Sequence, residues 1–280
     1  DAEGEDTDFE YVSPGLMSKI FKPENPSSPI VINTFDALNR VKEQKDAYNN
    51  TWKYYIAGPR SEEEDPNSES RVVWYNGMGN IVKAVNQLGH ESLFEYDGLQ
   101  RLVKMTAPEG NSSEFEFDSN HNVIKVTAKA KSGSGLSDIV NEFTYDTTWK
   151  NKVKTAEDGL GNVVTYTYNA TTGTLTKIEF PVINSQTPTV NFTYNSRGQV
   201  LTKEDPTGIV TKFVYDSTKE ELETVIVDEG TGRKNITTNF TYDTVGNVTA
   251  VENPNSETTT FEYDDLRRLT KTTAPSPLSY

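Results

Sequence analysis

Phe94-Glu95-Tyr96-Asp97-Gly98-Leu99-Gln100-Arg101-Leu102 reads as the end of one β-strand, a tight turn and the start of the next. The two aromatics stand two residues apart and share one strand face, which leaves Glu95 on the other. Asp97 and Gly98 then reverse the chain. The same sentence recurs at Phe35-Asp36, Tyr75-Asn76, Phe117-Asp118, Tyr194-Asn195, Tyr242-Asp243 and Tyr263-Asp264, each aromatic followed six residues later by an aliphatic. A repeat of this kind decides the architecture before any other signal does.

From Tyr75 onward the aromatics of the motif fall at 75, 96, 117, 145, 168, 194, 215, 242 and 263, with 21 residues in four of the eight intervals and 23 to 28 in the rest. A second register fills the gaps. Gly89, Gly110, Gly161 and Gly208 each stand five residues before an aromatic, as Ser256 does before Phe261. Around them lie Ala107-Pro108-Glu109-Gly110, Asp205-Pro206-Thr207-Gly208 and Asn253-Pro254-Asn255-Ser256. Asp or Asn first, Pro second and Gly fourth is the type I turn preference: an acceptor, a preset φ, and freedom to exit. The fifth motif position holds Gly79, Gly198, Gly246, Asn39, Gln100, His121 or Arg267, a bias toward Gly and Asn that predicts a left-handed backbone there. Each unit is therefore an antiparallel hairpin, and successive hairpins pair edge to edge. The expectation is an all-β fold: roughly twenty short antiparallel strands in a continuous, curved or spiralling sheet. Phe94, Tyr96, Phe115, Phe117, Tyr168, Tyr194, Phe213, Tyr242, Phe261 and Tyr263 should form a ladder on one face.

Composition agrees. The hydrophobic share of 34% is low for a closed globule, while Thr, Asn and Tyr suit short strands and many turns. A net charge of -15 opposes nucleic acid as a partner, because phosphates would be repelled. With no cysteine there is no disulfide and no thiolate chemistry. No signal peptide or membrane-inserting segment is evident, and the opening Asp1-Ala2-Glu3-Gly4 has the look of an internal piece of a longer protein.

Three segments are expected: an acidic, Pro-rich lead-in at 1–29, the repeat array at 30–273 with about ten units, and the start of a further segment at 274–280. A degenerate unit surrounds Trp52-Lys53-Tyr54-Tyr55-Ile56 and ends in the acidic run Glu62 to Asp65. Loops leaving the sheet are expected at 129–138, 181–188 and 228–234. Open edges at both ends of such a sheet invite pairing with further repeats or another chain.

The aromatic-Asp-x-x-Gly-Arg/Asn-aliphatic motif, alternating with Asp-Pro-x-Gly turns over roughly 30–273, resembles the RHS or YD-repeat family. The stretches Gly58-Pro59-Arg60-Ser61-Glu62 with Asp65-Pro66, and Leu266-Arg267-Arg268-Leu269, resemble bacterial members more than animal ones. The resemblance implies a long β-ribbon coiled into a hollow shell. In bacterial RHS proteins and insecticidal toxin-complex subunits that shell encloses a C-terminal toxic domain; teneurins use a related shell for adhesion outside animal cells. Asp205-Pro206-Thr207-Gly208 resembles the opening of the family's self-cleaving core only superficially, since ordinary repeats follow it.

No catalytic, cofactor-binding or metal-ligating residue is nominated. His90 and His121 occupy repeat-defined turn positions where other copies place Asn or Gly. The run Glu62 to Asp65 lacks the spaced ligands and ordering glycine of a calcium loop, so it is read as a solvated acidic loop. The Asn-x-Ser/Thr triplets at Asn49, Asn111, Asn169, Asn191, Asn235, Asn239 and Asn247 are read as incidental to Thr-rich strands. A β-fold glycosidase would need two carboxylates set apart in a cleft, and none stands out from the repeat. Two readings of function follow. The first is a non-enzymatic wall of a bacterial RHS shell, secreted or on the cell surface. Its partners would be a cis-encoded C-terminal toxin or effector polypeptide, neighbouring repeats and secretion machinery. The alternative is a cell-surface adhesion or carbohydrate- or protein-binding module acting through the long loops.

Overall fold

The computed structural model describes residues 6–23 and 25–275. Among them all regular structure is β-strand, and the chain divides into two compact units, Asp1–Val140 and Asn141–Tyr280. The first holds β1 (Asp8–Ser13), β2 (Leu16–Phe21), β3 (Val31–Phe35), β4 (Val41–Asp46), β5 (Thr51–Ala57), β6 (Arg60–Glu64), β7 (Ser70–Tyr75), β8 (Ile81–Val85), β9 (Glu91–Tyr96), β10 (Leu102–Thr106), β11 (Ser112–Phe117) and β12 (Val123–Lys129). The second holds β13 (Ile139–Tyr145), β14 (Val153–Glu157), β15 (Val163–Tyr168), β16 (Leu175–Glu179), β17 (Thr189–Tyr194), β18 (Val200–Glu204), β19 (Val210–Tyr215), β20 (Leu222–Val227), β21 (Ile236–Tyr242), β22 (Val248–Glu252), β23 (Thr258–Tyr263) and β24 (Leu269–Thr273). Within each unit strands consecutive in sequence pair antiparallel, as in β8–β9, β9–β10 and β10–β11 or β17–β18 and β18–β19.

The meander begins before residue 30. β1 and β2 form a hairpin whose second strand pairs with β3 through Lys19↔Ile32 and Ile20↔Val31. Its turn at Ser13 to Leu16 carries no aromatic-Asp signature, which is why the sequence sets this stretch apart. The further segment at 274–280 falls largely outside the described residues.

One turn chemistry serves both rims of the sheet, although the sequence presents two turn types. At Asp97 the backbone N–H donates to Arg101 O at 3.0 Å, and Gln100 N–H returns to Asp97 O at 3.0 Å. Asp97 Oδ1 accepts from the N–H groups of Leu99 (2.9 Å) and Arg101 (3.0 Å). Asp205 on the opposite rim repeats this: its N–H reaches Ile209 O at 3.0 Å, and its Oδ1 accepts from Thr207 (2.8 Å) and Ile209 (3.0 Å). An acceptor one methylene from the backbone is what reaches two turn amides, hence Asp or Asn and not Glu. The fourth turn residue is left-handed on both rims, Gln100 at φ 62° and Gly208 at φ 79°. Gly79, Gly198, Gly246, Asn39, His121 and Arg267 share that conformation, as the fifth motif position foretells.

In several turns the side chain of the residue after the left-handed one answers the first. Opposite Asp it is a donor in Arg40 on Asp36 (2.8 Å), Asn247 on Asp243 (2.8 Å) and Arg268 on Asp264 (2.7 Å). Opposite Asn it is an acceptor in Gln199 for Asn195 (2.7 Å) and Glu257 for Asn253 (2.8 Å). Ile209 and Glu69 close the Asp205 and Asp65 turns through their backbone N–H groups. The backbone hydrogen bonds to Arg101, Asn247 and Arg268 hold the Asp97, Asp243 and Asp264 carboxyls below the usual aspartate range.

What separates the rims is the aromatic. Past each aromatic-Asp turn the pairing slips by one residue: Tyr75↔Ile81 is followed by Trp74↔Lys83, and Tyr194↔Val200 by Thr193↔Thr202. Val82 and Leu201 are thus bulged out, which sharpens the local twist. The Asp-Pro-x-Gly hairpins run in straight register, as in Glu204↔Val210, Lys203↔Thr211 and Thr202↔Lys212.

Candidate functional site

The repeat sorts its side chains onto two unlike faces. β9 alternates strictly, with Glu91, Leu93 and Glu95 exposed and Ser92, Phe94 and Tyr96 half-buried. In both units the more polar face is knitted by cross-strand pairs: Lys104 between Glu95 (3.9 Å) and Glu114 (3.6 Å), Lys125 with Glu116 (3.7 Å), and the Thr193–Thr202 hydroxyls (2.6 Å). Such exposed pairs guide register and solubility more than they stabilise.

The other face carries the ladder. Phe94, Tyr96, Phe115, Phe117, Tyr168, Tyr194, Phe213, Tyr242, Phe261 and Tyr263 all lie there, each half-buried. Its tyrosines do more than pack. Tyr96 OH donates to Ile81 O (2.9 Å), Tyr168 to Val153 O (2.8 Å), Tyr194 to Leu175 O (2.6 Å), Tyr215 to Val200 O (3.0 Å), Tyr242 to Leu222 O (2.9 Å) and Tyr263 to Val248 O (3.0 Å). Every acceptor is the first residue of the strand leaving the previous aromatic-Asp turn. Each tyrosine therefore clamps its own hairpin to the preceding one at the bulge, where the ladder is weakest. Burial raises the Tyr168, Tyr194 and Tyr242 phenols above the ordinary tyrosine value, so they stay protonated donors.

Nothing in the described residues covers this face. Val73 and Val190 are the buried apolar side chains, and no side chain is fully enclosed.

Within the repeat array β5–β6 departs from the pattern. Between β5 and β6 the chain turns through Gly58-Pro59 with no Asp turn and no slip, from Lys53↔Glu64 straight to Ala57↔Arg60. The acidic run is strand, not loop: Glu62, Glu63 and Glu64 sit inside the sheet between β5 and β7. Its charge is tolerated because neighbours answer it. Lys53 holds Glu64 at 2.6 Å and Arg60 holds Glu62 at 2.5 Å. The Arg60 hydrogen bond, with one from Ser70, keeps the Glu62 carboxyl below the usual range. Four consecutive acids hide the period-2 alternation, so only the cross-strand partners reveal the strand.

The two histidines fall where the motif puts them. His121 is the left-handed residue of its turn at φ 67°, with Nδ1 3.2 Å from Arg101 Nη1, and His90 donates its backbone N–H to Asn86 Oδ1 at 2.9 Å. Among the described residues no group of three or more His, Asp or Glu is placed to hold a metal ion, and no helix is long and apolar enough to cross a membrane. The 181–188 loop is closed by a bridge between Ile183 and Gln186, and the 228–234 loop by Arg233–Asp228 (3.3 Å).

Comparison with known proteins agrees with this geometry. The Teneurin YD-shell family model matches residues 67–227, and the RHS Repeat model matches 242–276. No curated protein matches the chain. Among solved structures, the TcdB2–TccC3–Cdc42 crystal structure is similar over 96% of this chain and 15% of that one, at 15% identity and a TM-score of 0.72. TcdB2–TccC3 without its hypervariable C-terminal region is similar over the same shares at 15% identity and a TM-score of 0.64. The chain thus spans about 15% of the length of the structures it resembles, a likeness of fold. With the YD-shell model matching more than half of its residues, the chain belongs to the Teneurin YD-shell family.

Proposed function

We propose that this chain is a wall segment of a bacterial RHS-type shell whose aromatic face lines an interior holding a polypeptide carried in cis, C-terminal to the repeats. The wall performs no chemistry of its own. The shell works outside the cell or at its surface, with residues 30–273 as the repeat proper. The observation that carries this reading is the open aromatic face, half-buried along its length and capped by no second layer, opposite a face of Lys–Glu pairs. A lining of this kind shields an incompletely folded apolar chain, while the charged face meets water. The similar structure lacking a hypervariable C-terminal region adds support, since a variable C-terminal segment accompanies this fold there.

The test is limited proteolysis of the full-length gene product, followed by mass spectrometry. The expected result is a resistant shell retaining an unrelated C-terminal polypeptide. A full-length product with no such enclosed polypeptide overturns the reading. So does tight binding of the isolated 280-residue chain to cells through 129–138, 181–188 or 228–234, which is the adhesion outcome.

A further inference from the structure

On the face opposite the aromatic ladder, the pairing of β5 to β9 lines side chains up in two rows. One row runs Arg60, Trp74, Lys83 and Leu93 across β6 to β9. The other, two residues along the strands and about 7 Å away, runs Tyr55, Glu62, Val72, Val85 and Glu91. Trp74 stands immediately before its motif aromatic, where other copies place Glu95, Glu116, Thr144, Thr167 and Thr193. A large ring thus replaces a polar residue on the more polar face. Two cations flank it: the Arg60 guanidinium lies 5.7 Å and Lys83 Nζ 5.0 Å from a ring centroid. Arg60 pairs with Glu62, and Lys83 with Glu91. Tyr55 and Leu93, at the two flanks, stay 46% and 40% exposed. The first row is therefore basic and apolar, the second acidic and apolar.

We propose that this patch docks a second copy of the chain, face to face, about a two-fold axis. The patch is self-complementary, as a two-fold interface requires. With the axis between the two sheets, crossing the strands midway between the rows, the basic row of each copy covers the acidic row of the other. Arg60 then meets Glu62 of the other copy, and Lys83 lies beside the other copy's Glu91. Trp74 seats on Val72, and Leu93 comes beside Val85. Arg60 has five N–H donors and Lys83 three, so each keeps its own carboxylate while reaching the second. The composition is that of an interface centre, with Trp, Tyr and Arg among aliphatics and paired charges around them. Five strands span only about 20 Å, so the contact is small and the dimer weak. The patch lies on the face opposite the aromatic ladder, and docking there does not depend on the container reading.

Sedimentation velocity of the 280-residue chain at concentrations up to about 500 µM tests it. A monomer–dimer equilibrium with a Kd on the order of 10–100 µM is expected. Trp74→Thr, which installs the residue of ordinary copies, should weaken it by about tenfold or more. Lys83→Glu and Glu91→Lys each reverse one charge of an exposed pair, a change that costs the fold little; circular dichroism checks that the sheet is kept. Either variant alone should stay monomeric, because like charges then meet across the axis. Mixed in equal amounts the two should associate, because opposite charges face each other again. A chain that stays monomeric throughout the range overturns the proposal. So does an equilibrium that Trp74→Thr leaves unchanged, which is the result for pairing through the sheet edges. A mixture that associates no better than its two components overturns it as well.

Discussion

The hairpin β17–β18 and the hairpin β5–β6 solve the same problem in different ways. In β17–β18 an Asn turn, a left-handed glycine and a bulge set the reversal, and Tyr194 clamps the hairpin to its predecessor through Leu175 O at 2.6 Å. In β5–β6 a short Gly58-Pro59 turn suffices, register is straight, and no tyrosine reaches back to a strand-opening carbonyl; Tyr75 OH meets Ser61 Oγ instead, at 3.2 Å. The regular hairpin spends its polar atoms on holding the wall together. The irregular one keeps Glu63 and Arg71 outside any ion pair among the described residues, although they are cross-strand partners.

The broadest test is acid, because the Asp-opened turns depend on ionised aspartates, whereas the Asn195 turn of β17–β18 and the Gly58-Pro59 turn of β5–β6 have none. The Asp36, Asp97, Asp243 and Asp264 carboxyls, each chiefly through a backbone hydrogen bond from the closing residue, lie below their ordinary value of 3.8 when folded. Their stabilisation is complete above that value. It is lost as pH falls from there through the depressed folded values. Thermal melts should hold steady from neutrality down to about pH 5 and drop steeply below about pH 4. A flat melting temperature down to pH 2 would show that the Asx turns contribute nothing.

Tyrosine truncation comes next. Tyr194→Ala should cost about 2–3 kcal/mol in denaturant melts, below the cost for an enclosed aromatic because this ring is half-covered. Tyr194→Phe removes only the clamp and should cost about 1 kcal/mol. Tyr54→Phe in the irregular hairpin, whose hydroxyl has no hydrogen-bond partner among the described residues, should be neutral. Equal losses at Tyr194 and Tyr54 would erase the distinction drawn between the two regions.

The smallest effects test the left-handed turn position. A Cβ at Gly198 meets nothing within 4 Å, so Gly198→Ala measures backbone strain alone, about 1 kcal/mol. Arg267 sits at φ 63° and pays that strain already. Arg267→Gly should be neutral to slightly stabilising, within about 0.5 kcal/mol, because relief is offset by the added freedom of glycine in the unfolded chain. A clear loss at Arg267→Gly would mean that the arginine side chain contributes a contact of its own.

The sequence by itself determined the strands, the turns and the faces. All three are local: an aromatic two residues from another must share a side, and an Asp before a Gly-biased position must bond its own turn. It also placed the family. What only the tertiary structure decided depends on partners distant in sequence. The turn types at Asp97 and Asp205 prove identical because their hydrogen bonds, not their residues, define them. The run Glu62 to Glu64 becomes a strand because Lys53, Arg60 and Ser70 lie across from or beside it. The tyrosine is preferred over phenylalanine at the clamp because a carbonyl fifteen to twenty residues upstream arrives within reach of its hydroxyl. Period-2 alternation records which way a side chain points, but not what it meets there, and that is set by which strand the fold lays alongside.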